Sequence, residues 1–241
     1  MLKPETCSLK PSPTKELTFF ENRHKASGAV GTYEDDDWDF GTGAGFYLDA
    51  TVEPSSRHYK MDTYVTRELP RVVAEHFPAS DVRGTFGQSM GGYGALTLSL
   101  KTPDLYASVS AFAPVSAPMR APWEKKAFPG YLGADEELWR EHDASELVRR
   151  RPFADGQTIL VDQGTADEFL EEQLYPEVLE VACREAGQPL TLRWHEGYDT
   201  QLLHLDVQGG PRAPPRGGPG QHNLARRSSS ACGRPSKNSK P

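Results

Sequence analysis

The chain has 241 residues, 37% of them hydrophobic and 25% charged, which are proportions typical of one globular α/β domain. It contains no apolar run of about 18 residues that would predict a membrane span. Cys7, Cys183 and Cys232 are too far apart in sequence to predict a disulfide framework or a metal site, and a reducing cytoplasm is the simplest compartment.

The net charge of −7 is unevenly distributed along the chain. Residues 209–241 contain seven Lys or Arg and no Asp or Glu, so the rest of the chain carries −14. An acidic body does not favour nucleic-acid binding, and we expect neither a nucleic-acid nor a membrane partner. The basic segment is rich in Gly, Pro and Ser, a composition that predicts disorder.

The first half of the chain offers few regular elements. Residues 1–32 are predicted to be irregular, apart from a possible strand over 17–20, and the glycine-aromatic segment 38–47 is predicted to be a loop. Helical periodicity begins at Met61 and runs to Phe77, with Pro70 predicted to bend or break the helix. The residues of its predicted inward face are Tyr64, Val65, Leu69, Val72, Val73 and Phe77.

The second half alternates strands and helices. Strands are predicted over 82–86, 108–112, 158–161 and 190–194, and helices over 92–100 and 168–186, the latter restarting at Pro176. This alternation predicts an α/β fold with a mostly parallel sheet covered on both faces by helices. The domain division is then an irregular segment 1–32, a catalytic domain 33–208 and a disordered tail 209–241.

The pentapeptide Gly87-Gln88-Ser89-Met90-Gly91 matches the G-x-S-x-G nucleophile elbow. In that motif a serine stands on a tight turn between a strand and a helix, and both predicted elements are in place here. The glycines allow neighbouring backbone segments to pass close to the turn. A chance glycine-rich turn is the alternative, but the context favours Ser89 as a nucleophile.

A nucleophilic serine needs an acid and a base, in the chain order Ser, acid, His. Asp162, Asp167 and Glu168 follow the predicted strand 158–161. Asp167 stands in the loop and is the preferred acid, although a helix N-cap is the alternative role for such an aspartate. In the last loop, His204 is the available base, since His195 comes too early, at the end of the predicted strand 190–194. An ordinary surface histidine is the alternative for His204.

Several ordered segments resemble S-formylglutathione hydrolase, also called esterase D. They are WDFGTGAGFYLDA at 38–50, YVTRELP at 64–70, FGQSMGGYGAL at 86–96, SVSAFAP at 108–114, PWEKKAFPGYLG at 122–133, DQGTADEFL at 162–170 and EGYD at 196–199. The resemblance implies an α/β-hydrolase fold, cytosolic location, frequent dimerisation and no cofactor. The implied reaction cleaves the S-formylglutathione thioester to formate and glutathione, the last step of formaldehyde detoxification.

Position by position, the resemblance assigns the nucleophile to Ser89, the acid to Asp167 and one oxyanion N–H to Met90. Trp123 falls in a family segment near the substrate site, as do Lys125 and Lys126, for which solvated surface lysines are the alternative. The chain also departs from the family. Gln88 replaces a histidine that is not the base, and no equivalent of the second oxyanion loop is found. We therefore expect the fold to lack its early strands and its C-terminal helix.

The largest departure is Thr200, which stands where the family has its catalytic histidine. A hydroxyl is no base at neutral pH. Residues 200–206 can be encoded so that reading one base further on gives His-Ser-Tyr-Tyr, the family's continuation after Gly-Tyr-Asp. A shifted reading frame from Thr200 is therefore our hypothesis for this segment.

Three functional interpretations follow from the sequence. The first is a serine hydrolase of the S-formylglutathione hydrolase type acting on a small-molecule thioester. The second is a general carboxylesterase, because a formyl or acetyl group demands little of an acyl pocket. The third is a catalytically impaired remnant or binding protein, favoured by Thr200.

Overall fold

The computed structural model describes Phe40, Gly41 and residues 46–200, apart from the side chain of Glu124. The predicted strand at 17–20, Cys7, His204 and the segment 209–241 lie outside the described residues. The boundaries predicted at 32 and 208 lie outside them as well.

Four parallel strands form the sheet, in the spatial order β1-β2-β3-β4. They are β1 (Gly84–Gln88), β2 (Ser108–Phe112), β3 (Ile159–Gly164) and β4 (Leu190–His195). Parallel neighbours must be joined by crossover connections, and each connection here contains helix. The predicted α/β fold with a parallel sheet flanked by helices is confirmed.

Seven α-helices lie within the described part of the chain. They are α1 (Met61–Thr63), α2 (Leu69–His76), α3 (Met90–Lys101), α4 (Pro122–Leu132), α5 (Glu136–Arg140), α6 (Ala144–Arg150) and α7 (Pro176–Ala186). Shorter 3₁₀ turns span Ser55–Arg57 and Pro103–Leu105, and π-helical turns span Tyr64–Glu68 and Leu170–Leu174. The restart predicted at Pro176 is confirmed: Tyr175, at φ 50°, separates the second π-turn from α7.

The strand predicted over 82–86 lies two residues further along. Val82 is 57% exposed and precedes β1, whose last residues are Gly87 and Gln88 of the elbow motif. They are drawn into the sheet because they pair with Ala111 and Phe112 of β2. The apolar side chain of Val82 therefore gave a misleading start for this strand.

The helical segment predicted over 61–77 is present, but its apolar face is only partly covered. Val65 is 3% exposed, whereas Tyr64, Val72 and Phe77 are 46%, 44% and 57% exposed. Pro70 does not break the segment, because it falls in the first turn of α2, where its missing N–H costs little. Within the described residues, β1 is also one of the two edge strands of the sheet, the other being β4.

Two hydrophobic clusters form the core. One lies between the sheet and helices α3, α6 and α7, and includes Leu96, Ile159 and Leu179. The other is largely aromatic and joins residues 46–48 to α4 through Phe46, Phe128 and other buried rings. The segment predicted as a glycine-aromatic loop thus contributes directly to the core.

The opposite face of the sheet is less covered than the sequence predicted. Phe86 and Phe112 are half-buried on this face and pack edge to face at 6.5 Å. Thr191 and Arg193, on β4, are exposed. Within the described residues, cover on this second face is therefore partial, where helices on both faces were expected.

Candidate active site

Ser89 occupies a one-residue turn between the last residue of β1 and the first residue of α3. Its backbone has φ 51° and ψ −115°, a conformation that costs a non-glycine residue about 1–3 kcal/mol. Hydrogen bonds hold the turn on both sides: its N–H donates to the carbonyl of Phe112 at 2.8 Å, and its carbonyl accepts from the N–H of Tyr93 at 2.9 Å. This is the strained strand-to-helix geometry that the elbow motif predicts.

The motif glycines are required by close backbone contacts. A Cβ atom added to Gly87 would lie 2.2 Å from the carbonyl oxygen of Gly91, and one added to Gly92 would lie 2.9 Å from the Cβ of Pro114. Both distances are shorter than real Cβ contacts. The start of α3 can therefore pass close to β1 only because Gly87 carries no side chain, and Gly92, just after the motif, allows a similar approach to Pro114.

Met90 is the first residue of α3 and follows Ser89 directly. The first N–H groups of a helix find no carbonyl within the helix and carry its positive dipole end, which suits them to binding an oxyanion. The N–H of Met90 therefore lies directly after Ser89 in the chain, at the start of α3.

Asp167 lies in the loop after β3 and is 7% exposed. Its Oδ1 accepts from the N–H of Phe169 at 2.9 Å and so supports the turn that follows, but it is not the helix N-cap of the alternative role, because that position before Leu170–Leu174 is occupied by Phe169. Its Oδ2 accepts a hydrogen bond from the Oγ1 of Thr200. The same carboxylate therefore supports its own loop with one oxygen and faces residue 200 with the other.

Thr200 is brought to this place by contacts between the loops after β3 and β4. The N–H of Ala166 donates to the carbonyl of Tyr198 at 2.9 Å, and the N–H of Gly197 donates to Thr165 Oγ1 at 2.9 Å. The backbone carbonyl of Thr200 itself accepts from Gln88 Nε2 at 2.5 Å. Residue 200 thus contacts both Gln88, the residue before Ser89, and Asp167.

The two other candidate carboxylates are placed differently. Asp162 is buried on β3, where Arg193 donates to it at 2.7 and 2.5 Å and His195 Nε2 lies 2.6 Å from its Oδ1. Glu168 is exposed. His195 is therefore paired with Asp162 as the last residue of β4, and Asp167 is the carboxylate that contacts residue 200.

An aromatic pair stands next to the acid. The rings of Trp123, in the first turn of α4, and Phe169 lie 5.0 Å apart between centroids. Phe169 follows Asp167 by two residues and is 37% exposed. The sequence pointed to Trp123 through the family resemblance but gave no sign of Phe169, whose position depends on the turn that Asp167 supports.

Metal and membrane sites were also sought in the described part of the chain. Phe40, Gly41 and residues 46–200 contain no group of three or more His, Cys, Asp or Glu side chains able to hold a metal ion. Over the same residues, no helix combines the length and apolarity needed to cross a bilayer.

Comparison with known proteins places this geometry in a family. Residues 27–204 match the family model described as an esterase. The chain belongs to the Esterase family. S-formylglutathione hydrolases from Rattus norvegicus and Bos taurus are 51% identical to it over 170 and 168 residues, covering 69% of this chain and 59% of each relative.

Among solved structures, an S-formylglutathione hydrolase from Agrobacterium tumefaciens matches with a TM-score of 0.71 and 45% identity. The match covers 76% of this chain and 66% of that one. The α/β-hydrolase fold and the resemblance to S-formylglutathione hydrolase are thus confirmed. The chain spans about three-fifths of the length of the curated relatives it matches.

Proposed function

We propose that this esterase is a serine hydrolase of the S-formylglutathione hydrolase type, with Ser89 as nucleophile and Asp167 as acid. One observation carries the proposal: residue 200 is bound both by Asp167, which accepts from its hydroxyl, and by the side chain of Gln88, which donates to its carbonyl and directly precedes the strained turn at Ser89. The 51% identity to named S-formylglutathione hydrolases supports the choice of substrate.

The proposed reaction is acyl transfer through Ser89. Its Oγ bonds to the formyl carbon while its proton passes to a base at position 200, and the N–H of Met90 stabilises the oxyanion. The carbon–sulfur bond breaks and glutathione leaves as the thiol after taking that proton. Water, deprotonated by the same base, attacks the formyl ester, and formate leaves as Ser89 regains its proton.

Thr200 sets the activity of this chain. A threonine hydroxyl cannot accept the serine proton at neutral pH, and loss of a triad base costs up to about 10⁶-fold in kcat. We therefore propose that this chain holds the acyl-transfer site in an impaired form and that His204 does not replace the base. The alternative is a general carboxylesterase activity, which rates on a thioester and on a simple ester distinguish.

The wider assignments follow from the same proposal. We propose a small-molecule thioester as substrate, with Trp123 at the substrate site, and a cytoplasmic role in formaldehyde catabolism as a homodimer. We propose no cofactor and no nucleic-acid partner. The match over residues 27–204 supports our division into a segment 1–32, an esterase domain 33–208 and a tail 209–241.

Substitution of Thr200 tests the proposal. Thr200→His should raise kcat/KM for S-formylglutathione by at least about 10²-fold over the unmodified chain, since a positioned base contributes about 10²–10⁴-fold. Thr200→Asn is the matched control, because an amide can donate to Asp167 but cannot act as the base. Ser89→Ala in the Thr200→His background should abolish the gain. His204→Ala should leave the activity of the Thr200→His variant unchanged.

Two measurements on these variants identify the activity and the nucleophile. Rates on S-formylglutathione and on 4-nitrophenyl acetate, measured in parallel, separate the thioesterase from the general carboxylesterase. Labelling by a fluorophosphonate probe reports whether Ser89 is a nucleophile without requiring turnover. Equal rates and equal labelling in Thr200→His and Thr200→Asn would contradict the proposed triad.

A further inference from the structure

Gln88 connects two parts of the molecule that are distant in sequence. It is the last residue of β1, and its half-buried side chain reaches the carbonyl of Thr200, 112 residues further along the chain. The Nε2···O distance is 2.5 Å. Since β2 and β3 separate β1 from β4 in the sheet, this bond links the elbow to the last loop directly across the site.

The backbone of Gln88 is held in the sheet, so the position from which its side chain extends is fixed. Gln88 is aligned with Phe112 in the β1–β2 ladder, and the next residue, Ser89, is held in its strained turn by the bond to the Phe112 carbonyl. A shift of the Gln88 backbone would therefore disturb both the ladder and the turn. Its amide consequently holds Thr200 at a set distance from the nucleophile.

Residue 200 is then held at two points with different functions. The bond from Gln88 fixes its backbone relative to Ser89, while Asp167 orients its side chain. The contacts of Gly197 and Tyr198 fasten the preceding residues to the loop after β3, which carries Asp167 but not Ser89. The Gln88 bond thus supplies the coupling to the nucleophile that those contacts do not.

We infer that Gln88 is a positioning residue for the side chain at position 200. This inference rests on the proposed function, because position 200 is the site of the base. A neutral amide donor suits the role: it binds a carbonyl without adding a charge beside the Asp167 carboxylate. A misplacement of about 1 Å at a catalytic group can cost about 10²-fold in rate, so loss of this bond should affect kcat more than KM.

The test uses the Thr200→His background and two measurements. The first is the pKa of the introduced imidazole, followed by NMR, which requires no turnover. A carboxylate partner raises an imidazole pKa, so correct placement against Asp167 should give a value above that of a free histidine. The second is kcat and KM for S-formylglutathione.

Three variants of Gln88 distinguish positioning from general destabilisation. Gln88→Met keeps the length but removes the donor, and it should lower the imidazole pKa and lower kcat by about 10–10²-fold with KM within about twofold. Gln88→Glu, also without a donor at neutral pH, should lower kcat similarly. Gln88→His retains a ring N–H and should recover most of the lost rate and of the imidazole pKa.

The outcomes separate the two proposals. An imidazole pKa and a kcat that are unchanged in both Gln88→Met and Gln88→Glu would overturn the positioning role while leaving the triad intact. If Thr200→His hydrolyses nothing, the triad fails, and the NMR titration still decides whether Gln88 places residue 200. If Gln88→Met does not fold, the comparison of Gln88→Glu with Gln88→His decides the question.

Discussion

Substitution of Gly87 by alanine probes the backbone contact on which the elbow depends. The added Cβ would lie 2.2 Å from the Gly91 oxygen, 2.3 Å from its carbonyl carbon and 2.9 Å from the nitrogen of Gly92, whereas ordinary contact begins at 3.4 Å. All three atoms are backbone atoms of the first turn of α3. No side-chain rotation can relieve the overlap, so β1 and α3 must move apart.

The expected cost is about 3 kcal/mol or more in the free energy of unfolding, at or above the usual upper range for overpacking. Gly156→Ala is the matched control. Gly156 has φ 72° and no heavy atom within 4 Å of an added Cβ, so only backbone strain of about 1–2 kcal/mol is expected there. Urea unfolding followed by tryptophan fluorescence measures both variants. A Gly87→Ala protein as stable as Gly156→Ala would refute the argument.

Two further predictions concern buried carboxylates. Burial raises the pKa of Asp143 to about 6, although the N–H groups of Met119, Glu146 and Ser145 oppose the shift. The folded state therefore binds the proton more tightly than the unfolded state. The protonated Asp143 therefore stabilises the fold below about pH 4, and this stabilisation, about 3 kcal/mol in the free energy of unfolding, is lost as the pH rises through 6. Urea unfolding as a function of pH should show the change in the parent and not in Asp143→Asn. Arg193→Met removes the bidentate partner of buried Asp162 and should lower the free energy of unfolding by about 2 kcal/mol. The cost is smaller than for a fully buried pair because Arg193 is 54% exposed. An unfolding free energy within about 0.5 kcal/mol of the parent would contradict this prediction.

The sequence predicted all four strands, two of them to within one residue, whereas β1 begins two residues later than predicted and β3 ends three residues later. The predicted strand 108–112 coincides with β2, and β4 differs from its prediction by one residue. The helical face over 61–77 was less informative. Periodicity reports that an apolar stripe exists, but it does not report what covers the stripe, and Phe77 is 57% exposed.

The candidate site shows the same division between local and distant information. The turn at Ser89 could be predicted because the strain at the elbow has a local sequence signature, two glycines and a serine between a strand and a helix. The bond between Gln88 and Thr200 has no such signature, since it joins residues 112 positions apart. Phe169 was missed for a related reason: its place beside Trp123 follows from the turn supported by Asp167.

Thr200 also explains how the site keeps its geometry without a base. Asp167 is 7% exposed, and although the N–H of Phe169 donates to its Oδ1, its Oδ2 needs a donor of its own, because a buried acceptor left without one costs about 1–3 kcal/mol. The threonine hydroxyl supplies that donor, as the ring N–H of a histidine would, and Gln88 binds the backbone of residue 200, which is the same whatever its side chain. Stability therefore depends on a hydrogen-bond donor at position 200, whereas the proposed catalysis requires a proton acceptor there. A threonine provides the donor but not the proton acceptor, so the stability of the fold does not require a histidine at position 200.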